Sequence, residues 1–251
     1  MPLKDLSANT AKSYISAVGF KCKITGCSDV TQNFIVHKVL EGMKRLKNRA
    51  DTRLPITPDI LQRIVSILPS ICFNMHENKL FKVAFTLAYW GLFRVGEITL
   101  SNKKNINNIL SNNDVHIVAG SDKLTITLRF SKTDQLGKVV NIEIPKVGGL
   151  MCPFESVSEC LTVRPTKDVP FLCHFSGSPL TRFQFSSMLT KSLKYAGIES
   201  SKYKAHSFRI GAATALSMAG YPIDEIKNLG RWKSTAYKSY IRPPAIAVPK
   251  H

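Results

Sequence analysis

The sequence predicts a mainly α-helical protein with one small antiparallel β-sheet set into it, an α+β fold. Apolar residues recur at helical spacing through both ends of the chain. Alternating apolar and polar residues with β-branched side chains are confined to the stretch between Val115 and Ile144. The scale also fits: 251 residues, 44% hydrophobic and 21% charged, suit one large globular domain or two small ones and exclude a disordered tail or a fibre.

Ser7 to Phe20 carries Ala11, Tyr14, Ile15 and Val18 at helical spacing behind a capping serine, and Phe34 to Leu46 repeats the pattern with Phe34, Ile35, Val39, Met43 and Leu46. The polar, charged run from Lys47 to Arg53, closed by Leu54-Pro55, reads as a linker. This divides the chain into residues 1–53 and 54–251. Thr57-Pro58-Asp59 opens a helix with a capping threonine and a proline at the first helical position, and Ile60, Leu61, Ile64, Ile67 and Leu68 form its apolar face. A core helix is expected from Lys79 to about Glu97. Three strands follow, Val115–Val118, Lys123–Phe130 and Val139–Ile144, bounded by Gly120-Ser121-Asp122 and Gln135-Leu136-Gly137. Helices are then expected at Phe154–Val163, Thr181–Ala196, Ser207–Met218 and Ile223–Leu229, with turns at Gly177, Gly197, Gly220-Tyr221-Pro222 and Gly230. There is no internal repeat or low-complexity tract.

Charge points to a partner. Thirty-five Lys+Arg against seventeen Asp+Glu leave a formal +18, an imbalance that repels itself unless a polyanion neutralises it. Nucleic acid is the first candidate. Residues 1–53 carry ten basic and four acidic side chains and residues 189–242 ten and three, so two separated segments hold thirteen of the eighteen excess charges. Such a distribution suits a surface that follows a phosphate backbone, although any one basic run is equally well a solvated helix face. No window approaches the roughly eighteen consecutive apolar residues of a membrane span, and the longest apolar-rich stretch, Val83 to Val95, contains Arg94. The first residues lack an apolar signal core, so an intracellular location is expected. Cys22, Cys27, Cys72, Cys152, Cys160 and Cys173 are scattered, which suits free thiols.

Three clusters have chemistry suited to one anion. Arg94 and Glu97 lie three apart at the end of the expected core helix, on one face; a local ion pair is the plainer reading. His206 and Arg209 lie one helical turn apart, and a guanidinium can fork onto two phosphoryl oxygens while an imidazole moves a proton near neutral pH. A capping histidine beside an exposed arginine fits that spacing equally well. Tyr237 and Tyr240 follow Trp232, with basic residues threaded between them. A phenol can attack phosphorus once its proton is removed and the growing phosphate charge is clamped, whereas aromatic residues at helical spacing are more often core.

Taken in order, Arg-x-x-Glu at 94–97, His-x-x-Arg at 206–209 and Gly-x-Trp at 230–232 with a tyrosine eight residues beyond resemble the tyrosine recombinase (phage integrase) family, most closely its Cre-like members. The stretch HSFRIGAATALSMAGYPIDEIKNLGRWKSTAYKSYIR is similar to the family's catalytic core through its nucleophile, and LAYWGLFRVGEI to the segment with its first catalytic arginine. The resemblance implies a catalytic domain of that fold at 54–251 and a truncated or reduced helical core-binding domain at 1–53. It implies Tyr240 as the nucleophile that forms a 3′-phosphotyrosyl link, with Tyr237 one turn earlier as rival. Arg94 and Arg209 would hold the scissile phosphate, His206 would manage the tyrosine proton, Trp232 would donate to a phosphate oxygen, and Glu97 would support the site. Lys132 would be the general acid, with Lys138 as its rival across the turn. Rejoining then needs neither metal nor nucleotide, and no cofactor or small-molecule substrate is expected. The implied partners are double-stranded DNA and further copies of the chain, as dimer and tetramer on DNA, wherever that DNA is kept in the cell. A non-catalytic DNA-binding descendant and a relaxer of supercoils are the competing functions. The apolar Ala245–Val248 behind Pro243-Pro244 would be the tail that contacts a neighbouring copy.

Overall fold

The computed structural model describes residues 6–46, 51–101, 109–117, 120–129, 139–165 and 170–242. The chain divides into two compact units, Met1–Thr52 and Arg53–His251.

In the first unit, α1 (Ala8–Thr25) starts where Ser7 Oγ accepts the Thr10 N–H at 3.1 Å. It runs past the expected end at Phe20 and stops at Gly26, whose left-handed backbone (φ 68°) lets its N–H reach the Cys22 carbonyl. A 3-10 turn, Val30–Gln32, capped by Asp29, leads into α2 (Phe34–Leu46). Gly19 meets this turn: an added Cβ would lie 2.7 Å from Thr31 Oγ1. Little else is covered. Gly19 is the buried residue of α1, and α2 buries none.

The second unit is built around a helix covered on all sides. α3 (Pro58–Ile71) begins at Thr57, as expected, and buries Leu61, Ile64, Val65, Leu68 and Ile71. α4 (Met75–Trp90), capped by Asn74, is buried from Leu80 to Tyr89 and packs against α3, α6 and α8. The expected helix from Lys79 to Glu97 is broken. α4 stops at Trp90, the chain turns through Gly91 and Leu92 (φ 44°), and α5 (Val95–Ile98) restarts it. Phe93 folds back over Gly91 into the core, into space that any Cβ there would occupy. Burying that ring outweighs continuing the helix.

β1 (Val115–Ile117), β2 (Lys123–Leu128) and β3 (Val140–Pro145) form one antiparallel sheet in the order β1-β2-β3. Val115 faces Ile126, which faces Ile142, and Leu124 faces Ile144. Leu124, Ile126, Leu128 and Ile144 turn inward, as strict alternation requires. Val118, Phe130 and the turn with Lys132 and Lys138 lie outside the described residues.

α6 (Pro153–Leu161), α7 (Arg182–Tyr195), α8 (His206–Met218) and α9 (Ile223–Gly230) complete the unit, followed by a 3-10 turn at Thr235–Ser239. Two backbone bonds, Leu54 N–H to Lys202 O and Ile56 N–H to Ser207 O, both 2.9 Å, lay the entering segment along the turn before α8 and the start of α8. Gly211 permits this approach, because a Cβ there would overlap the Ile56 carbonyl. All six cysteines are free.

Candidate active site

The centre of the site is Arg209, a full-sized cation only 1% exposed. α8 carries it inward from its first turn, beside the buried Phe208. The guanidinium donates to the carbonyls of Leu92 and Gly230, the latter at 2.9 Å, and lies 4.6 Å above the Trp232 ring and 5.3 Å from the Tyr240 ring centre. Burial pulls its pKa down to about 10, and Arg94 and Arg231 push the same way. It remains a cation at neutral pH. The plainer reading of an exposed arginine here is therefore corrected.

Arg94 reaches the site from the other side. It is the N-cap residue of α5, and Glu97 closes that first turn: the Arg94 N–H donates to Glu97 Oε2 at 2.8 Å and its Nη1 to Oε1 at 2.9 Å. The spacing of three thus serves a helix start; the expected pair on one face at the end of a long helix is corrected, because α4 ends before it. Glu97 is 5% exposed. Its charge stays buried because two guanidiniums share it, Arg94 and Arg231, the second donating to Oε2 at 3.0 Å.

His206, on the first turn of α8, stacks near-parallel to Tyr240, with ring centres 6.0 Å apart and planes 26° apart. Burial lowers its pKa from 6.5 to about 4, and the positive charges of Arg53, Arg209, Arg182 and Arg94 add to the shift. The imidazole is neutral near pH 7 and keeps a lone pair. Trp232 is packed 5.0 Å from Tyr240, in the space left by Gly230, where any Cβ would overlap the indole. Tyr240 follows the 3-10 turn. Its N–H donates to Tyr237 O at 2.8 Å, its carbonyl accepts from Thr214 Oγ1 at 3.3 Å, and Thr214 Oγ1 accepts the Arg242 N–H at 3.0 Å. Tyr237 is 9% exposed and part of the core, with Lys227 Nζ 5.8 Å over its ring.

Arg94, Glu97, His206, Arg209, Trp232 and Tyr240 therefore converge, although up to 146 positions separate them in the chain. Lys132 and Lys138 lie outside the described residues. Three arginines were passed over by the sequence reading. Arg231 stood in the quoted Gly-x-Trp motif as its unassigned middle residue; Arg53 and Arg182, which add to the field at His206, carry no local signal. Together these cations outweigh Glu97, and the cluster is suited to a phosphoryl group.

The sequence profile of the phage integrase family matches residues 55–242. The chain belongs to that family. Among solved structures it is similar to a lambda integrase dimer bound to a COC' core site (TM-score 0.60, 19% identity, 97% of this chain and 62% of that one). It is also similar to the XerH site-specific recombinase bound to difH substrate before cleavage (TM-score 0.58, 14% identity, 96% and 68%). A third likeness is to the same recombinase on a palindromic difH substrate after cleavage (TM-score 0.57, 16% identity, 77% and 50%). These likenesses establish the fold, that of a tyrosine recombinase catalytic domain, and this integrase-family chain spans only part of each relative's length. They do not single out Cre-like members. No curated protein sequence matches it significantly. No helix among the described residues is long and apolar enough to cross a membrane.

Proposed function

We propose that this chain is a DNA strand transferase acting in site-specific recombination or integration. The Tyr240 oxygen attacks the scissile phosphorus; a 3′-phosphotyrosyl bond forms as the bond to the 5′ oxygen breaks, and a 5′-hydroxyl leaves. One phosphoester replaces another, so the reverse attack by a 5′-hydroxyl restores the duplex without an energy source. Arg94 and Arg209 hold the non-bridging oxygens, where charge grows in the transition state. Neutral His206 accepts the phenolic proton, helped once the phosphate charge has offset the surrounding arginines. Trp232 packs the site and donates to a phosphate oxygen, Glu97 holds Arg94, and Lys132 protonates the leaving oxygen. Residues 1–53 act as helices of a core-binding domain that grips double-stranded DNA, and copies assemble as dimers and tetramers on it.

The observation that carries this reading is the seating of the Tyr240 ring against His206, Trp232 and Arg209 together, while Tyr237 lies in the core. Incubation with a nicked suicide duplex tests it. A covalent protein–DNA adduct is expected, lost in Tyr240→Phe and kept in Tyr237→Phe. Salt-sensitive DNA binding with no adduct under any condition would instead make the chain a non-catalytic DNA-binding module.

A further inference from the structure

Arg231 is a charged side chain with a structural position that the roles above leave unused. Its side chain is 10% exposed. It makes four hydrogen bonds: Nη1 to the carbonyls of Gly91 (3.1 Å) and Leu229 (3.3 Å), and Nη2 to the Leu92 carbonyl and Glu97 Oε2, both 3.0 Å. The guanidinium also lies 5.3 Å over the Phe93 ring. Two of the segments it joins are turns nearly 140 positions apart in the chain.

Both turns are strained. Leu92 (φ 44°) and Arg231 (φ 57°) are the non-glycine residues with left-handed backbone among the described residues, a region disfavoured for any side chain with a Cβ. They are bonded to each other through Arg231 Nη2 and Leu92 O. Strain of this kind persists where the surroundings over-determine it, and it gathers at functional sites. The Leu92 turn delivers Arg94; the Arg231 turn delivers Trp232 and leads on to Tyr240. Glu97 bridges the two: Oε1 accepts from the Arg94 side chain, and Oε2 accepts from both the Arg94 N–H and Arg231 Nη2. A guanidinium suits the task because its flat fork of donors can satisfy several acceptors in fixed directions, which the point charge of a lysine cannot.

We propose that Arg231 is a positioning residue for strand transfer: it ties the turn bearing Arg94 to the turn bearing Trp232 and Tyr240 and so sets the phosphate clamp against the nucleophile. This rests on the reading of Tyr240 as the nucleophile. Arg231 itself touches carbonyls and a carboxylate and need not touch DNA.

The test uses the full chain and a suicide duplex in single-turnover reactions at saturating DNA, with the folded fraction followed by circular dichroism. Misplacing a clamp by about 1 Å is worth roughly a hundredfold in rate. Arg231→Ala is expected to slow adduct formation by about that factor and Arg231→Lys by roughly tenfold, with DNA affinity changed less than about threefold. Millimolar methylguanidinium should restore part of the Arg231→Ala rate and none of the Tyr240→Phe rate, which a merely structural role would not produce. Wild-type adduct rates in folded Arg231→Ala and Arg231→Lys would overturn the proposal, and if the alanine variant does not fold, the lysine variant decides. If the wild-type chain itself forms no adduct, the nucleophile assignment fails separately. The tie between the turns is then judged from urea melts of Glu97→Gln, Arg231→Lys and the double variant: losses that are shared support it, and losses that simply add overturn it.

Discussion

Phe34 and Phe85 are the same side chain in helices of 13 and 16 residues, yet Phe85 is fully buried between Phe185 and Phe208, 5.2 and 5.3 Å from their ring centres, while Phe34 is 71% exposed. The contrast holds for their surroundings. In the amino-terminal unit the helices are defined by caps and turns, at Ser7, Gly26 and Asp29, and Val39 and Leu46 stay open to solvent. In the larger unit an aromatic stack joins α4, α7 and α8. Local signals are enough to draw a helix, but short helices without a packed face are marginal in water. Every described residue of the candidate site belongs to the packed unit, where dense packing can hold a constellation of side chains to within fractions of an ångström.

The largest expected effect sharpens this contrast. Phe85→Ala should cost about 3–5 kcal/mol in urea unfolding of the larger unit, and Phe34→Ala no more than about 0.5 kcal/mol; equal losses would break the comparison. Next, Arg209→Ala should lower adduct formation roughly 100- to 1000-fold while DNA binding, followed by filter binding, weakens far less. A comparable loss of both would make Arg209 a general DNA contact instead.

His206 gives a smaller effect with a defined sign. Its pKa is about 4 in the folded chain against 6.5 for an ordinary histidine, so between these values the unfolded chain binds the extra proton. Stability therefore falls as pH drops from 6.5 towards 4 through this group, and its contribution levels off below. His206→Asn should remove that part of the slope in thermal melts across the window; an unchanged slope would mean that the imidazole is not held neutral. The smallest effect belongs to the amino-terminal unit. Lys23→Ala should reduce the log–log salt dependence of DNA binding by at most about one and leave the adduct rate of bound DNA unchanged. A loss of rate would show that the open unit takes part in positioning the site.

Much of the fold was legible because its signals are local. Thr57 and Pro58 opened α3 where expected, Phe34–Leu46 formed one helix, and the alternation of Leu124, Ile126 and Leu128 turned those side chains inward. The break after Trp90 was not legible. Apolar residues continue on both sides of Gly91 in LAYWGLFRVGEI, so the spacing alone carries a helix through it, and only the core to which Phe93 returns makes the turn worth its strain. Arg231 was missed for the same reason. Its partners Gly91, Leu92 and Glu97 lie 134 to 140 positions away, and nothing in its own neighbourhood announces them.

The sequence by itself determined the helical caps, the strand alternation, the excess of positive charge and the set of side chains able to handle a phosphate, because each depends on residue type and short spacing. The tertiary structure decided which tyrosine meets the arginines, how Glu97 is divided between two of them, and that Arg209 is buried rather than exposed. Those outcomes depend on how α8 lies against the entering segment at Ile56 and how the turns at Leu92 and Arg231 close on each other, and distances across a packed core are set by the packing of the whole unit, not by any one segment of it.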